Sequence, residues 1–298
     1  MAERLSDLES SFRRHLRAEG KSDSTLRLYG QSVTFYARWL DEQGRPATLD
    51  ELNRVAIREW LAALVDSGKA PGTVRTRWKG LHRFCTWLVA EGELSAHPMD
   101  GLAVPAVPDK PVPILTDDQL AAVLKACAGT RWYERRDEAV IRFLLDTGCR
   151  VSELTGLAVA DVDLDHEMAM VLGKGRKIRP VYFAARTGRA LDRWLRERRR
   201  HRWAHLDAFF LGERGALTPD GVRELVTVRG RAAGVPDLHP HRFRHSFAHD
   251  FLLNGGQERD LKRLAGWSSD AMLERYGSAA ADMRAREAAK RLRRGDRV

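Results

Sequence analysis

Apolar positions recur at helical spacing through the first hundred residues. Leu26, Tyr29, Val33, Tyr36 and Leu40 share one helix face, and Val74, Trp78, Leu81, Cys85 and Leu88 share another. Four helices are predicted, over about 3–19, 24–42, 50–67 and 72–91. "KSDST" supplies an N-cap before the second helix and "EQGRP" a stop after it. Trp39, Trp60, Trp78 and Trp87 fall within these patterns and are read as core.

The periodicity then breaks. Pro98, Pro105, Pro108, Pro111 and Pro113 crowd "HPMDGLAVPAVPDKPVPILT", a run that cannot continue a helix and reads as an extended linker. The predicted division is a helical domain over 1–104, a Pro-rich linker over 105–115 and a second domain over 116–298. In the second domain "TDDQLAAVLKAC" starts a helix capped at Thr116. Further helices are predicted over 135–146, 186–203, 218–233, 242–254, 257–265 and 270–276, with an Ala- and Arg-rich helix over 278–294. The β signal is "HEMAMVLG" and "KIRPVYF" flanking the tight "GKGRK", a hairpin. The fold class is therefore mainly α with a small β-hairpin or sheet.

Composition adds a partner class. The chain has 298 residues, 31% of them charged, and a formal net charge of +10, which suits a polyanion or an acidic membrane face. Acids and bases nearly cancel in residues 1–104, so the surplus lies beyond the linker. Within the first domain, however, Lys69, Arg75, Arg77, Lys79 and Arg83 form a basic run with no acid between 69 and 83. Such a run either faces solvent or lies along phosphates. The Arg-rich "RERRRHRW" run reads in the same two ways. No window approaches ~18 consecutive apolar residues, so no membrane span or membrane partner is expected. The start, "MAERLSDLES", has no apolar signal core, so a cytoplasmic location is expected. Cys85, Cys127 and Cys149 lack metal-ligand spacing and read as reduced thiols. No metal or other cofactor is expected.

The candidate chemistry lies beyond the linker. In "HRFR", His241 and Arg244 are spaced to share a helix face, a pairing suited to an anionic oxygen. Phe243, Phe247 and Phe251 form a separate stripe expected in the core. "LLDTGCRVSELTGL" sets Arg150 in a break between helices, where Gly148 permits the turn and Ser152 can cap the next helix. Glu153 can hold Arg150 or cap that helix. "GKGRK" lifts Lys174 and Lys177 on a hairpin tip, where a lysine is either solvated or poised to deliver a proton. Two guanidiniums can neutralise a phosphodiester and the extra charge of its pentavalent transition state. Tyr276 can serve as a covalent nucleophile, and a lysine can protonate the leaving alkoxide. No carboxylate cluster suggests bound Mg²⁺.

At these residues the chain resembles the tyrosine recombinase, or phage integrase, family, in its Xer-like branch. The resemblance rests on "TGCRVSEL", "GKGRK", "HPHRFRHSFA", "LAGWSS" and "ERYG", which occur in the family's order and spacing. "KSDSTLRLYGQSVTFYARWL" also resembles the opening of the family's helical core-binding domain, so the likeness spans nearly the whole chain. It implies a C-shaped clamp on double-stranded DNA, made of a SAM-like helical domain and a mixed α/β catalytic domain. It further implies that Arg150 and Arg244 grip the scissile phosphate, with His241 beside it. Lys174 would be the general acid and Tyr276 the nucleophile that forms a 3′-phosphotyrosyl bond, while Glu153 would support Arg150 from behind. Trp267 departs from the usual His. Its indole N–H either donates to phosphate or merely packs against the Tyr276 helix, and it cannot accept a proton.

The expected activity is site-specific recombination by a homotetramer on two DNA duplexes, near the nucleoid, with the need for accessory or partner recombinases left open. The alternatives are a type IB topoisomerase-like enzyme and a catalytically idle DNA-binding regulator. The helical block begins within a few residues of Met1, leaving no room for an arm-DNA-binding domain, so short core sites are expected.

Overall fold

The computed structural model describes residues 3–108 and 113–267, with positions 269, 270, 273, 285, 286, 289–291 and 295; of Lys174 it describes the backbone. The chain divides into two compact units, 1–110 and 111–298.

The first unit is helical. Helices α1 (Leu5–Ala18), α2 (Asp23–Glu42), α3 (Arg54–Asp66) and α4 (Pro71–Ala90) form it, with a 3₁₀ turn over Leu49–Glu51 where the third helix was expected to begin. Ser22 caps α2 and Asn53 caps α3, each accepting a backbone N–H three residues on. The helices bury Phe12 and Leu16 of α1, Tyr36 and Leu40 of α2, Trp60 of α3 and Phe84 and Leu88 of α4 in one core. The Tyr36 hydroxyl donates to the Glu51 carbonyl at 2.7 Å, so its polar end is satisfied at the edge of that core.

The second unit begins with α5 (Asp117–Ala126), where Thr116 and Gln119 make a reciprocal capping box. Helices α6 (Trp132–Thr147) and the short α7 (Val151–Thr155) follow. Then come β1 (Val162–Asp163), β2 (Met168–Leu172) and β3 (Ile178–Tyr182), an antiparallel sheet in that order. The predicted hairpin is β2–β3, with Leu172 opposite Ile178 and Met168 opposite Tyr182. After it come α8 (Ala185–Arg198), β4 (Leu211–Gly212), β5 (Gly215–Ala216), α9 (Pro219–Ala232), α10 (Pro240–Leu253) and α11 (Glu258–Ala265). Phe143 and Leu144 of α6, Val171 and Val181 of the sheet, Trp194 of α8, Phe209, Phe210 and Phe243 share the core.

Three expectations change. Helix α8 stops at Arg198 rather than 203, and that guanidinium turns inward. It donates to the carbonyls of Ala204, Leu206 and Ala208 and is 5% exposed, so this part of the Arg run is not a solvated face. Ser152 lies inside α7 and does not cap it; the Glu153 carboxylate accepts the Arg150 backbone N–H instead. Of the three phenylalanines on α10, Phe243 is fully buried, whereas Phe247 and Phe251 are half-buried at the edge of a smaller cluster with Leu261 and Trp267. Among the described residues, no helix is long and apolar enough to cross a membrane.

Candidate active site

The break between α6 and α7 is set by Gly148, whose φ of 54° ends α6 in the left-handed region. A Cβ there would lie 2.5 Å from the Phe247 ring of α10, so only glycine fits both the turn and the approach of that helix. Arg150 emerges next. Its Nη1 donates to Glu153 Oε1 at 2.8 Å, and its Nη2 to the Gly266 carbonyl at 3.2 Å. Arg244, on α10, is 2% exposed. It donates to the Gly148 carbonyl at 2.7 Å and the Ala265 carbonyl at 2.6 Å, and the Trp267 ring lies 5.4 Å from its guanidinium carbon. Arg150, Arg244 and Trp267 therefore meet at the end of α11.

His241 is exposed on the first turn of α10. Its imidazole is held below its usual range, first by partial loss of water and then by His239, Arg244, Arg223 and Arg150. Lys177 is exposed at the hairpin tip, a 3₁₀ turn over Lys174–Arg176 closed by the Gly173 N–H donating to the Lys177 carbonyl at 2.8 Å. Tyr276, the predicted nucleophile, lies outside the described residues.

Glu153 is buried and accepts from two arginines. Burial opposes its charge, but hydrogen bonds from Arg179 and from the Arg150 backbone and guanidinium outweigh it, holding the carboxyl below the usual carboxylate range. Arg179 was not anticipated. It shares the inward-facing side of β3 with buried Val181, and a charged residue at such a position of a strand alternation was the available signal. A cleft of ≈1030 Å³ opens here, lined by Arg150, Lys177, Arg179, Lys262, Arg263 and Trp267, with Ile178, Tyr182 and Phe251 among its apolar walls. Its described lining carries five cations and one carboxylate, Asp260; Arg150 and Arg179 pair with Glu153, and Lys262 with Asp270. Among the described residues no group of three or more His, Cys, Asp or Glu could hold a metal ion.

On the first unit, the five residues of the basic run separate. Lys69, Arg75 and Lys79 are exposed. Arg77 lies half-buried over the Phe35 ring at 4.1 Å, and Arg83 pairs with Glu19 at 2.5 Å.

Comparison with known proteins gives a consistent family. The phage integrase family matches residues 113–283, and the phage integrase N-terminal SAM-like domain matches residues 10–92. The tyrosine recombinase XerC of Corynebacterium efficiens is 34% identical over 252 residues, covering 84% of this chain and 79% of that protein. A Tn1549 transposon integrase solved with transposon right end DNA aligns with a TM-score of 0.74 at 21% identity, over 98% of this chain and 99% of its own. The XerH site-specific recombinase, solved in a post-cleavage complex on a palindromic difH substrate, aligns at 0.73 and 19%, over 89% and 79%. These last two likenesses concern the fold.

Proposed function

The chain belongs to the phage integrase family, and from that premise we propose a residue-by-residue account of how this tyrosine recombinase cuts and rejoins DNA. Arg150 and Arg244 grip the scissile phosphate and stabilise the charge that builds on its equatorial oxygens. His241 lies beside the same phosphate, where one ring nitrogen donates to a phosphate oxygen and the other takes the proton that Tyr276 gives up. Tyr276 attacks phosphorus as its hydroxyl proton passes to His241; the bond to the 5′ oxygen breaks and that oxygen takes a proton from Lys174. A 3′-phosphotyrosyl bond and a free 5′-hydroxyl result, and the reverse step on a new 5′-hydroxyl completes strand exchange. Trp267 packs over Arg244 and holds it in place.

The observation that carries this reading is the convergence of Arg150 and Arg244 on adjacent carbonyls, beside a cleft that Arg150 lines. Double-stranded DNA is the substrate, and Lys69, Arg75 and Lys79 supply phosphate contacts from the first unit. Exchange between two duplexes requires four strand cuts, one tyrosine each, which a homotetramer provides. The site of action is the nucleoid.

The test is covalent trapping. Fragments of the source genome, nicked so that the cleaved end diffuses away, should capture the enzyme on DNA without added metal or ATP. Mass spectrometry should place the adduct on Tyr276 at a 3′-phosphate, and sequencing the trapped DNA maps the site. Tyr276→Phe should bind that DNA without forming the adduct. A 5′-phosphate linkage, or an adduct on another tyrosine, would refute the account.

A further inference from the structure

We propose that Arg179 is a positioning residue for this reaction. From β3 it holds the Lys174 turn in register with Arg150, so that protonation of the leaving group and the grip on phosphate are aligned. The proposal rests on the general-acid role given to Lys174 above.

All three guanidinium nitrogens of Arg179 donate to protein acceptors. Nη1 and Nη2 meet Glu153 Oε1 and Oε2 at 2.8 and 2.9 Å, and Nε meets the Leu264 carbonyl at 2.8 Å. Its side chain is 13% exposed. A guanidinium so committed acts through its partners rather than on the phosphate. The fork onto both carboxylate oxygens fixes orientation as well as distance.

Those partners belong to three separate parts of the site. Glu153 also accepts the Arg150 backbone N–H and guanidinium, so the carboxylate that Arg179 clamps is the one that aims Arg150. On the hairpin side, Gly173 directly precedes Lys174. A Cβ on it would stand 3.3 Å from Arg179 Nη1, Glu153 Oε1 and the Lys177 carbonyl, so the base of the tip rests against this ion pair. On the α11 side, Gly266 has φ 63°, and a Cβ there would stand 2.9 Å from Arg179 Cζ. The turn leading into Trp267 is thus built over the same guanidinium. One side chain ties together the lysine tip, the Arg150 carrier and the α11 terminus.

A lysine at 179 keeps the charge but cannot span both Glu153 oxygens and the Leu264 carbonyl. The tip would then shift relative to Arg150, and a misplacement near 1 Å costs on the order of 10²-fold in rate. The phosphate–sugar backbone is bound by other residues, so affinity should hold.

The experiment uses the full-length enzyme and the duplex mapped by trapping, synthesised with either oxygen or sulfur bridging phosphorus to the 5′ carbon. A thiolate leaves without a proton. Arg179→Lys should cleave the oxygen duplex about 10²-fold more slowly, with binding affinity unchanged. It should recover most of that loss on the sulfur duplex, as Lys174→Ala should. Adding Arg179→Lys to Lys174→Ala should cost much less on the oxygen duplex than it costs the wild-type enzyme. Equal slowing on both duplexes, or a wild-type rate, would overturn the proposal. If Lys174→Ala itself fails to recover on sulfur, the general-acid assignment falls, and with it the link to Arg179; recovery of Lys174→Ala alone isolates the failure to Arg179. Should Arg179→Lys not fold, Gly173→Ala disturbs the same pair from the tip and must show the same sulfur-dependent recovery.

Discussion

Arg150 and Arg244 donate to neighbouring carbonyls, Gly266 at 3.2 Å and Ala265 at 2.6 Å. Two guanidiniums, one in the break between α6 and α7 and one on α10, thus share one reference point, the left-handed turn that ends α11 at Gly266. Because Arg244 also donates to the Gly148 carbonyl, the turn that presents Arg150 is fastened to the same frame. The spacing of the two cations is set by the backbone, which keeps them in place despite their mutual repulsion. Such preorganisation is what stabilises charge without reorganisation during reaction.

The Arg244→Lys variant tests that frame. A lysine cannot reach the Gly148 and Ala265 carbonyls together, so strand cleavage should slow by ~10²–10³ on bound DNA. Leaving a buried carbonyl without its donor should also cost about 1–3 kcal/mol of stability. Single-turnover cleavage at saturating protein and calorimetric unfolding measure the two effects. Weaker DNA binding with an unchanged rate on bound DNA would make Arg244 an anchor only.

Much of this architecture was legible because local chemistry and fold agree. The stripes that bury Tyr36, Phe84 and Leu88 are visible as helical spacing, and Thr116 and Gly148 mark an element start and an element end. The pairing of Arg150 with Glu153 follows from their separation by three residues. Partnerships made across the fold were not legible. Arg179 reads as one more cation on a strand until α7 and α11 bring Glu153 and the Leu264 carbonyl to it. Arg198 reads as part of a solvated run until the 204–208 loop turns its carbonyls inward. In the N-terminal run, periodicity placed Arg75, Arg77, Lys79 and Arg83 on a helix but could not reveal that Glu19, just past α1, faces Arg83.

His241 should titrate below the ordinary imidazole value of 6.5 in the free enzyme, since lost water and then His239, Arg244, Arg223 and Arg150 all disfavour its charged form. With the folded value depressed, the unfolded chain takes up the proton first. Stability is therefore undiminished above about 6.5 and falls as pH drops from there toward the folded value. A bound phosphate supplies the opposite charge and should move the midpoint up. NMR of the imidazole protons, assigned with His241→Gln, gives both midpoints. A free-enzyme midpoint at or above 6.5 would show that the neighbouring arginines do not act on this ring.

The basic run of the first unit should divide by role. Arg75 and Lys79 are one turn apart on α4 and exposed, so each can reach a phosphate without breaking a contact of its own fold. Arg77 is engaged with the Phe35 face, and Arg83 with Glu19. Each phosphate contact releases condensed counterions and contributes about 0.9 to the slope of log affinity against log salt. Arg75→Ala combined with Lys79→Ala should weaken binding to the mapped duplex and reduce that slope by about 2, with Tm unchanged. Arg77→Ala should instead lower Tm through lost packing on Phe35, and Arg83→Ala should leave the slope within error of wild type. Binding isotherms across a salt series, run beside thermal melts, separate the two groups. A slope unaltered in the double variant would mean that this face of α4 meets solvent, and that the DNA contacts of the first unit lie on another helix.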